Sequence, residues 1–277
     1  MPSRFLTRKR LIGMVHLLPL PGSPGYGGDW NAVRERALAD AWALAEGGVS
    51  ALLIENFGDR PFLGDRVEPI TVAAMAALVQ EVRSRFGLPC GVNVLRNDAA
   101  AALAIATVTG CPFIRVNIHL GSMLTDQGLL SGQGAQTLRQ RAAWRSSVEV
   151  WADVWVKHAT PLGAASLEET ALDTWERGLA DALILSGQRT GQPPEGEALN
   201  RVRHVLPQAP LVVGSGLTPE NLETFWPYAQ GFIVGTWLKE GEDPQGPVSL
   251  QRVRQLVERW RSLWLAEEGG ASAEPPA

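Results

Sequence analysis

Five side chains able to move protons or stabilise charge sit toward the far ends of short apolar runs. His16 closes RLIGMVH, Glu55 lies in SALLIEN, Asn93 in PCGVNVL, Asn117 in FIRVNI and Lys157 in ADVWVKH. Carboxylates and imidazoles carry protons, and amides orient a substrate or a metal-bound water. An amine forms a Schiff base or stabilises developing negative charge. The lysine stands out because the chain holds 25 Lys and Arg together but only three lysines, Lys9, Lys157 and Lys239. Arginine cannot lose its proton to become a nucleophile, so a lysine kept at a strand end is a candidate for chemistry.

Further polar groups cluster at the same junctions. In GVNVLRNDAAAALAIA, Arg96, Asn97 and Asp98 separate a strand from an alanine-rich helix. Together with Asp126, Ser186 and Thr190 from later loops they are expected to bind substrate. SGQRTGQPPEGE, residues 186–197, has the composition of a mobile lid. VVGSGLTPEN and FIVGTWLKEG each end a strand in glycine. Glycine lets the backbone approach an anion, so Ser215, Gly216, Gly235 and Thr236 are expected to grip a phosphate. Thr218 as a cap and Pro219 at the first helical position would open a helix there.

These residues need elements that bring them to one place. Eight apolar runs alternate with helical patterns, at 10–16, 50–56, 89–95, 113–118, 152–158, 181–186, 210–216 and 231–236. Eight strand–helix units predict a (β/α)8 TIM barrel, whose usual length is about 250 residues. A doubly wound open sheet is the alternative, but no G-x-G-x-x-G follows the first strand. Alternation then sorts the side chains. Ile114, Val116 and Ile118 face the helices, and so do Val154 and Val156. Glu55, Asn93, Arg115, Asn117, Asp153 and Lys157 are left facing the barrel interior. Interior charge is costly unless paired, so Arg115 and Asp153 are read equally well as an ion pair that fixes the barrel. The remaining polar groups fall at the C-terminal strand ends, where barrel enzymes hold their sites.

Composition narrows the classes. The chain has 277 residues, 45% hydrophobic and 19% charged, and a formal net charge of −4. Nothing in that balance favours nucleic acid. Cys90 and Cys111 lack metal-ligand spacing and read as reduced thiols of a cytoplasmic protein. LIGMVHLLPLPG after Arg4, Arg8, Lys9 and Arg10 mimics a signal peptide, but His16, Pro19 and Pro21 interrupt it. No run reaches the roughly 20 apolar residues of a membrane span. Residues 1–265 are expected to form one domain and 266–277 a disordered tail. No cofactor is evident and a divalent metal is left open, although His16 lacks the H-x-H partner usual in metal-dependent barrel hydrolases.

IGMVHLLPLPGSP, IENFGDRPF, NVLRNDAAAALAIA, FIRVNIHLG, TDQG, ADVWVKHATPL, SGQRTG and GSGLTPEN with IVGTWLK resemble, together, the BtpA family, which includes SgcQ-type proteins. The resemblance spans residues 11 to about 260. It implies a barrel similar to the ribulose-phosphate-binding barrels. It also implies two roles. One is an enzyme of sugar-phosphate metabolism without an assigned reaction; the polar strand ends and phosphate-binding turns add the expectation of aldol or lyase, isomerase or glycosidic-bond chemistry on a small phosphorylated metabolite, in a chain expected to be a homo-oligomer. The other is a photosystem I biogenesis factor lying against the thylakoid membrane. No catalytic residue set comes with the resemblance, so the candidate residues rest on the strand-end argument.

Overall fold

A computed structural model describes residues 2–267. In chain order it places β1 (Arg10–His16), α1 (Trp30–Gly47), β2 (Ala51–Glu55), α2 (Pro69–Phe86), β3 (Cys90–Asn93), α3 (Ala99–Thr109) and β4 (Phe113–Val116). A hairpin of β5 (Ser122–Thr125) and β6 (Gly128–Ser131) follows, then α4 (Gly134–Ala143), β7 (Glu149–Asp153), β8 (Ala159–Pro161) and α5 (Leu167–Leu172). The chain continues with β9 (Ala182–Leu185), α6 (Gly196–Val205), β10 (Leu211–Val213), α7 (Leu222–Phe225), β11 (Gly231–Val234) and α8 (Leu250–Glu267). Eight of the strands, all parallel, close in the order β1-β2-β3-β4-β7-β9-β10-β11, and β11 pairs back on β1. This is the TIM barrel that the alternating pattern predicts.

Strand alternation divides the core into two shells. Residues such as Leu52, Ile54, Val92, Ile114 and Val116 pack outward beneath the helices. Met14, Leu53, Phe113, Trp151, Ile184 and Ile233 fill the barrel. Phe113 and Trp151 stack at 3.7 Å between ring centroids. Burying a side chain such as Phe113 contributes about 1.5–3 kcal/mol. Its ring explains Gly91 on the neighbouring strand, because a Cβ there would lie 2.1 Å from the ring. The lower end of the barrel is stoppered by the chain's own start. Glu149 accepts hydrogen bonds from Ser3 Oγ at 2.5 Å, the Arg4 and Phe5 amides at 2.6 and 3.1 Å, and Trp151 Nε1 at 3.1 Å.

Several local expectations change. The fifth barrel strand runs 149–153 rather than 152–158, so Trp151 enters the core and Lys157 lies beyond the strand. Trp155, which strict alternation would turn inward between Asp153 and Lys157, is 37% exposed. The loop after β4 is a hairpin that pairs with β8 in a separate antiparallel sheet. A capping box between Ser166 and Glu169 opens α5, whereas the helix expected from Thr218 begins only at Leu222. The Thr218 amide instead donates to Asn221 Oδ1 at 2.9 Å. In α8, Val253, Leu256, Val257, Trp260 and Leu263 form the buried stripe. Residues 266 and 267 belong to that helix, and the rest of the expected disordered tail lies outside the described residues.

Candidate active site

Register brings the polar strand ends together. His16 is the pairing partner of Glu55, and Glu55 is the partner of Asn93. Asn93 Nδ2 donates to Glu55 Oε2 at 3.0 Å. His16 Nδ1 lies 2.7 Å from the carbonyl of Pro244. A carbonyl only accepts, so that nitrogen carries the proton and Nε2 presents its lone pair. Nε2 faces Glu55 Oε1 at 3.8 Å. The two are not an ion pair. Burial, and after it the charge of Lys239, hold the His16 imidazole well below its ordinary pKa, so it is neutral near pH 7. Phe57 stacks on the ring at 4.4 Å and fixes its plane. Burial pushes the Glu55 carboxyl above the usual range, against the opposing pull of Arg115 and Lys157.

Across the barrel, Arg115 binds Asp153 through two parallel bonds of 2.9 Å, Nε to Oδ2 and Nη2 to Oδ1. Asn117 Nδ2 donates to Asp153 Oδ2 at 3.1 Å, and Ser186 Oγ to Asp153 Oδ1 at 3.3 Å. Burial alone would lower Arg115, but the charge and hydrogen bonds of Asp153 outweigh it and hold the guanidinium above its ordinary value. Asn117 Oδ1 is buried and has no partner among the described residues.

Lys157 reaches the mouth from the turn after β7, not by strand alternation. Enclosure, and after it the charge of Arg115, push its amine down to about 8. Arg96 Nη2 donates to the Lys157 carbonyl at 2.5 Å, and His158 Nε2 lies 3.2 Å from Thr190 Oγ1. A cavity of about 220 Å³ opens at this mouth, bounded by Glu55, Arg96, Asn117, Asp126, Lys157 and Thr190. A smaller recess continues from it toward His16, Ser215, Gly216, Gly235 and Thr236. A further cavity of about 280 Å³ lies against the segment 186–197, bounded also by Trp155 and Leu167. Its walls are largely apolar, with Glu195 and Arg201 among its polar groups, and Ser186, expected to bind substrate, borders this cavity and not the mouth.

Some expected binding residues are occupied elsewhere. Asn97 exchanges two bonds with the backbone of Ile118, at 3.0 and 2.8 Å. Asp98 caps α3 through the Ala101 amide at 2.8 Å and holds the Val67 amide at 2.9 Å. Neither borders the cavity; Asn97 is tied to the segment after β4, and Asp98 to the start of α3 and the loop before α2. Asn93 stands behind Glu55 as its positioner. The Ser215 hydroxyl donates to the Gln192 carbonyl at 2.7 Å and so ties down the segment 186–197. At Gly216, with φ +70°, a Cβ would lie 1.9 Å from Pro193 N, so the packing of that segment already requires this glycine. The short, late α7 offers no helix N-terminus to a phosphate; the backbone of the two glycine turns remains. Phe57, Arg60, Phe62 and His158 also border the mouth. Of these, Phe57, Arg60 and Phe62 stand in the irregular stretch IENFGDRPF, where no periodicity marks them.

Among the described residues no three His, Cys, Asp or Glu side chains gather as a metal-ligand set, and no helix is long and apolar enough to cross a membrane.

The model of the BtpA family matches residues 7–262. A protein of Thermococcus kodakarensis is 47% identical over 92% of this chain and 97% of its own length. The photosystem I biogenesis protein BtpA of Synechocystis is 45% identical, over 92% and 88% of the two chains. The putative sgc region protein SgcQ of Escherichia coli is 32% identical over 91% and 94%. Among solved structures, a native KDPGal structure superposes with a TM-score of 0.56 at 18% identity, covering 95% of this chain and 98% of that one. Phosphoribosyl anthranilate isomerase from Thermus thermophilus gives 0.56 at 16% identity, covering 92% and 99%. At these identities the structural likeness concerns the fold alone.

Proposed function

This chain belongs to the BtpA family, and from that premise we propose that its barrel mouth is the active site of an enzyme that moves protons on a small phosphorylated metabolite, in an isomerase or aldol-type reaction. The observation that carries the reading is the convergence of Glu55, His16 and Lys157 on one recess at the C-terminal strand ends. Burial brings all three toward neutrality of charge: Glu55 upward, His16 and Lys157 downward. Such tuning suits general acids and bases working near pH 7. Glu55 is the base that takes a proton next to a carbonyl. Neutral His16 offers Nε2 beside it. Lys157, largely protonated at pH 7, stabilises the oxyanion that forms. Asn117 Oδ1, buried and unpaired, orients a substrate hydroxyl. The phosphate lies against the backbone of Gly216, Gly235 and Thr236. The isomerase from Thermus acts, by its name, on a phosphoribosyl compound; this supports the reading only as an analogy of fold.

The test is solvent exchange. Candidate sugar phosphates incubated with the protein in deuterated water should gain deuterium beside the carbonyl, and Glu55→Gln should suppress the exchange. Exchange unaffected by Glu55→Gln would sink the assignment.

A second reading, a photosystem I biogenesis factor, draws on the Synechocystis relative's name. One structural observation supports it. Leu124, Leu129 and Leu162 are 56%, 59% and 57% exposed. Leu124 pairs with Leu129 across the hairpin, and the Leu162 amide bonds the neighbouring strand at Ser122, which sets an apolar outer face. If that face rather than the mouth serves the function, Leu124→Ser with Leu129→Ser should abolish it while Glu55→Gln does not.

A further inference from the structure

We propose that the mouth recognises a substrate with two different anionic ends, and that Arg96 and Arg60 receive a carboxylate opposite the phosphate end. The inference rests on the proposed active site and names the substrate class it takes. Its basis is an imbalance of partners. Four cationic side chains border the larger mouth cavity, Arg60, Arg96, Arg115 and Lys157, against the carboxylates of Glu55 and Asp126. Arg115 is already spent on Asp153. Arg96 is buried, makes one side-chain bond to the Lys157 carbonyl, and leaves its buried Nε with no acceptor among the described residues. A buried guanidinium N–H without an acceptor is unfavourable, and a ligand oxygen removes that cost. Asp126 lies on the same side and attracts Arg96 electrostatically. Its Oδ2 accepts from Gln127 Nε2 at 2.6 Å, and among the described residues no hydrogen bond joins it to the Arg96 guanidinium, whose Nε has no partner.

Arg60 reinforces the assignment. Its guanidinium lies 5.1 Å from the Phe57 ring centroid, and it is exposed at the same opening. Phe62 borders this cavity, while Phe57, stacked on His16, borders both it and the glycine recess. A planar carboxylate matches the guanidinium fork in two parallel bonds. The glycine recess around Gly216, Gly235 and Thr236 is at the other end, beyond Lys157 and Glu55. A ligand filling both ends carries its reactive carbons between them, past the proton carriers. The substrate class is thus a phosphorylated sugar acid or keto acid rather than a simple sugar phosphate.

The test is calorimetry with four open-chain six-carbon probes: 6-phosphogluconate, sorbitol 6-phosphate, gluconate and sorbitol 1,6-bisphosphate. The first two differ only in a carboxylate replacing a hydroxymethyl group. The inference expects 6-phosphogluconate to bind on the order of ten-fold more tightly than sorbitol 6-phosphate. That advantage should vanish in Arg96→Met and shrink in Arg60→Met, with sorbitol 6-phosphate affinity unchanged in both. Arg60 is exposed, so its variant keeps the test valid if Arg96→Met misfolds. No difference between the two phosphorylated probes in the unaltered protein, or equal loss for both in the variants, overturns the carboxylate site. Tighter binding of sorbitol 1,6-bisphosphate than of 6-phosphogluconate overturns it in favour of a second phosphate. Gluconate binding as well as 6-phosphogluconate would instead count against the phosphate end, and so against the broader functional reading, while leaving the arginine site standing.

Discussion

Asn93 and Glu55 are register partners on adjacent strands, and the amide of one holds the carboxylate of the other at 3.0 Å. A hydrogen bond to a carboxylate favours its charged form. Asn93 therefore restrains the rise in the Glu55 pKa that burial imposes. In Asn93→Ala the acid limb of the pH–activity profile should move to higher pH, with little loss at the alkaline plateau. An unmoved profile would reduce Asn93 to a packing residue.

Glu55 should also leave a mark on stability. Its folded pKa is raised, so the native state holds that proton more tightly than the unfolded chain does. Stability from this group is present at low pH and is lost as pH rises through the folded pKa. Glu55→Gln removes the cost of burying the charge. The variant should gain most over the parent protein above that pKa and least near pH 4, measured by urea unfolding across pH. A gain independent of pH would contradict the burial argument.

Lys157 gives the alkaline limb. With its amine pushed down to about 8, roughly nine-tenths of it is protonated at pH 7. If the ammonium stabilises an oxyanion, activity should fall as pH rises through about 8. Lys157→Ala should lose on the order of 100-fold and Lys157→Arg should retain part of the rate. Borohydride trapping of a stable adduct at Lys157 with a candidate substrate would replace this role with Schiff-base chemistry.

Gly235 tests the phosphate end. A Cβ there would lie 3.2 Å from His16 Cε1 and 3.3 Å from Met14. Gly235→Val should close the recess and weaken a phosphorylated ligand on the order of ten-fold or more, leaving its dephosphorylated counterpart little changed. Calorimetry showing equal affinity for both forms in the unaltered protein would refute a phosphate site.

The Arg115–Asp153 pair should matter first for folding. Arg115→Met leaves Asp153 buried with only Asn117 and Ser186 as donors. Breaking such a pair costs about 3–5 kcal/mol, whereas replacing both members by apolar residues is often close to neutral. Urea unfolding should show Arg115→Met strongly destabilised and much of the loss recovered with Asp153→Leu added. Equal destabilisation of the single and double variants would show that apolar packing cannot replace the pair.

Sequence made the barrel legible because alternation is a property of strands. Glu55, Asn93, Arg115 and Asp153 lie on the inward face by parity alone. The same logic misassigned Trp155 and reached Lys157 only by coincidence, since β7 ends at Asp153 and parity has no meaning in the turn beyond it. Asn97 and Asp98 are polar for the sake of neighbouring backbone, a role that residue type cannot separate from ligand binding. Arg60 and Phe57 were hidden for the opposite reason: they lie in an irregular loop, and only the fold carries that loop over the mouth.

The seam between β1 and β11 has a consequence for synthesis. Arg10 pairs with Gly231, and His16 receives its carbonyl partner from Pro244. A nascent chain on the ribosome therefore holds its first strand with one edge open until nearly the whole sequence has emerged. Domains generally fold as units during synthesis, but here the ring cannot close before the last strand arrives. Translation stopped short of residue 231 would leave Glu55 and Lys157 made but the recess without its Gly235–Thr236 wall, so premature termination leaves the candidate site incomplete.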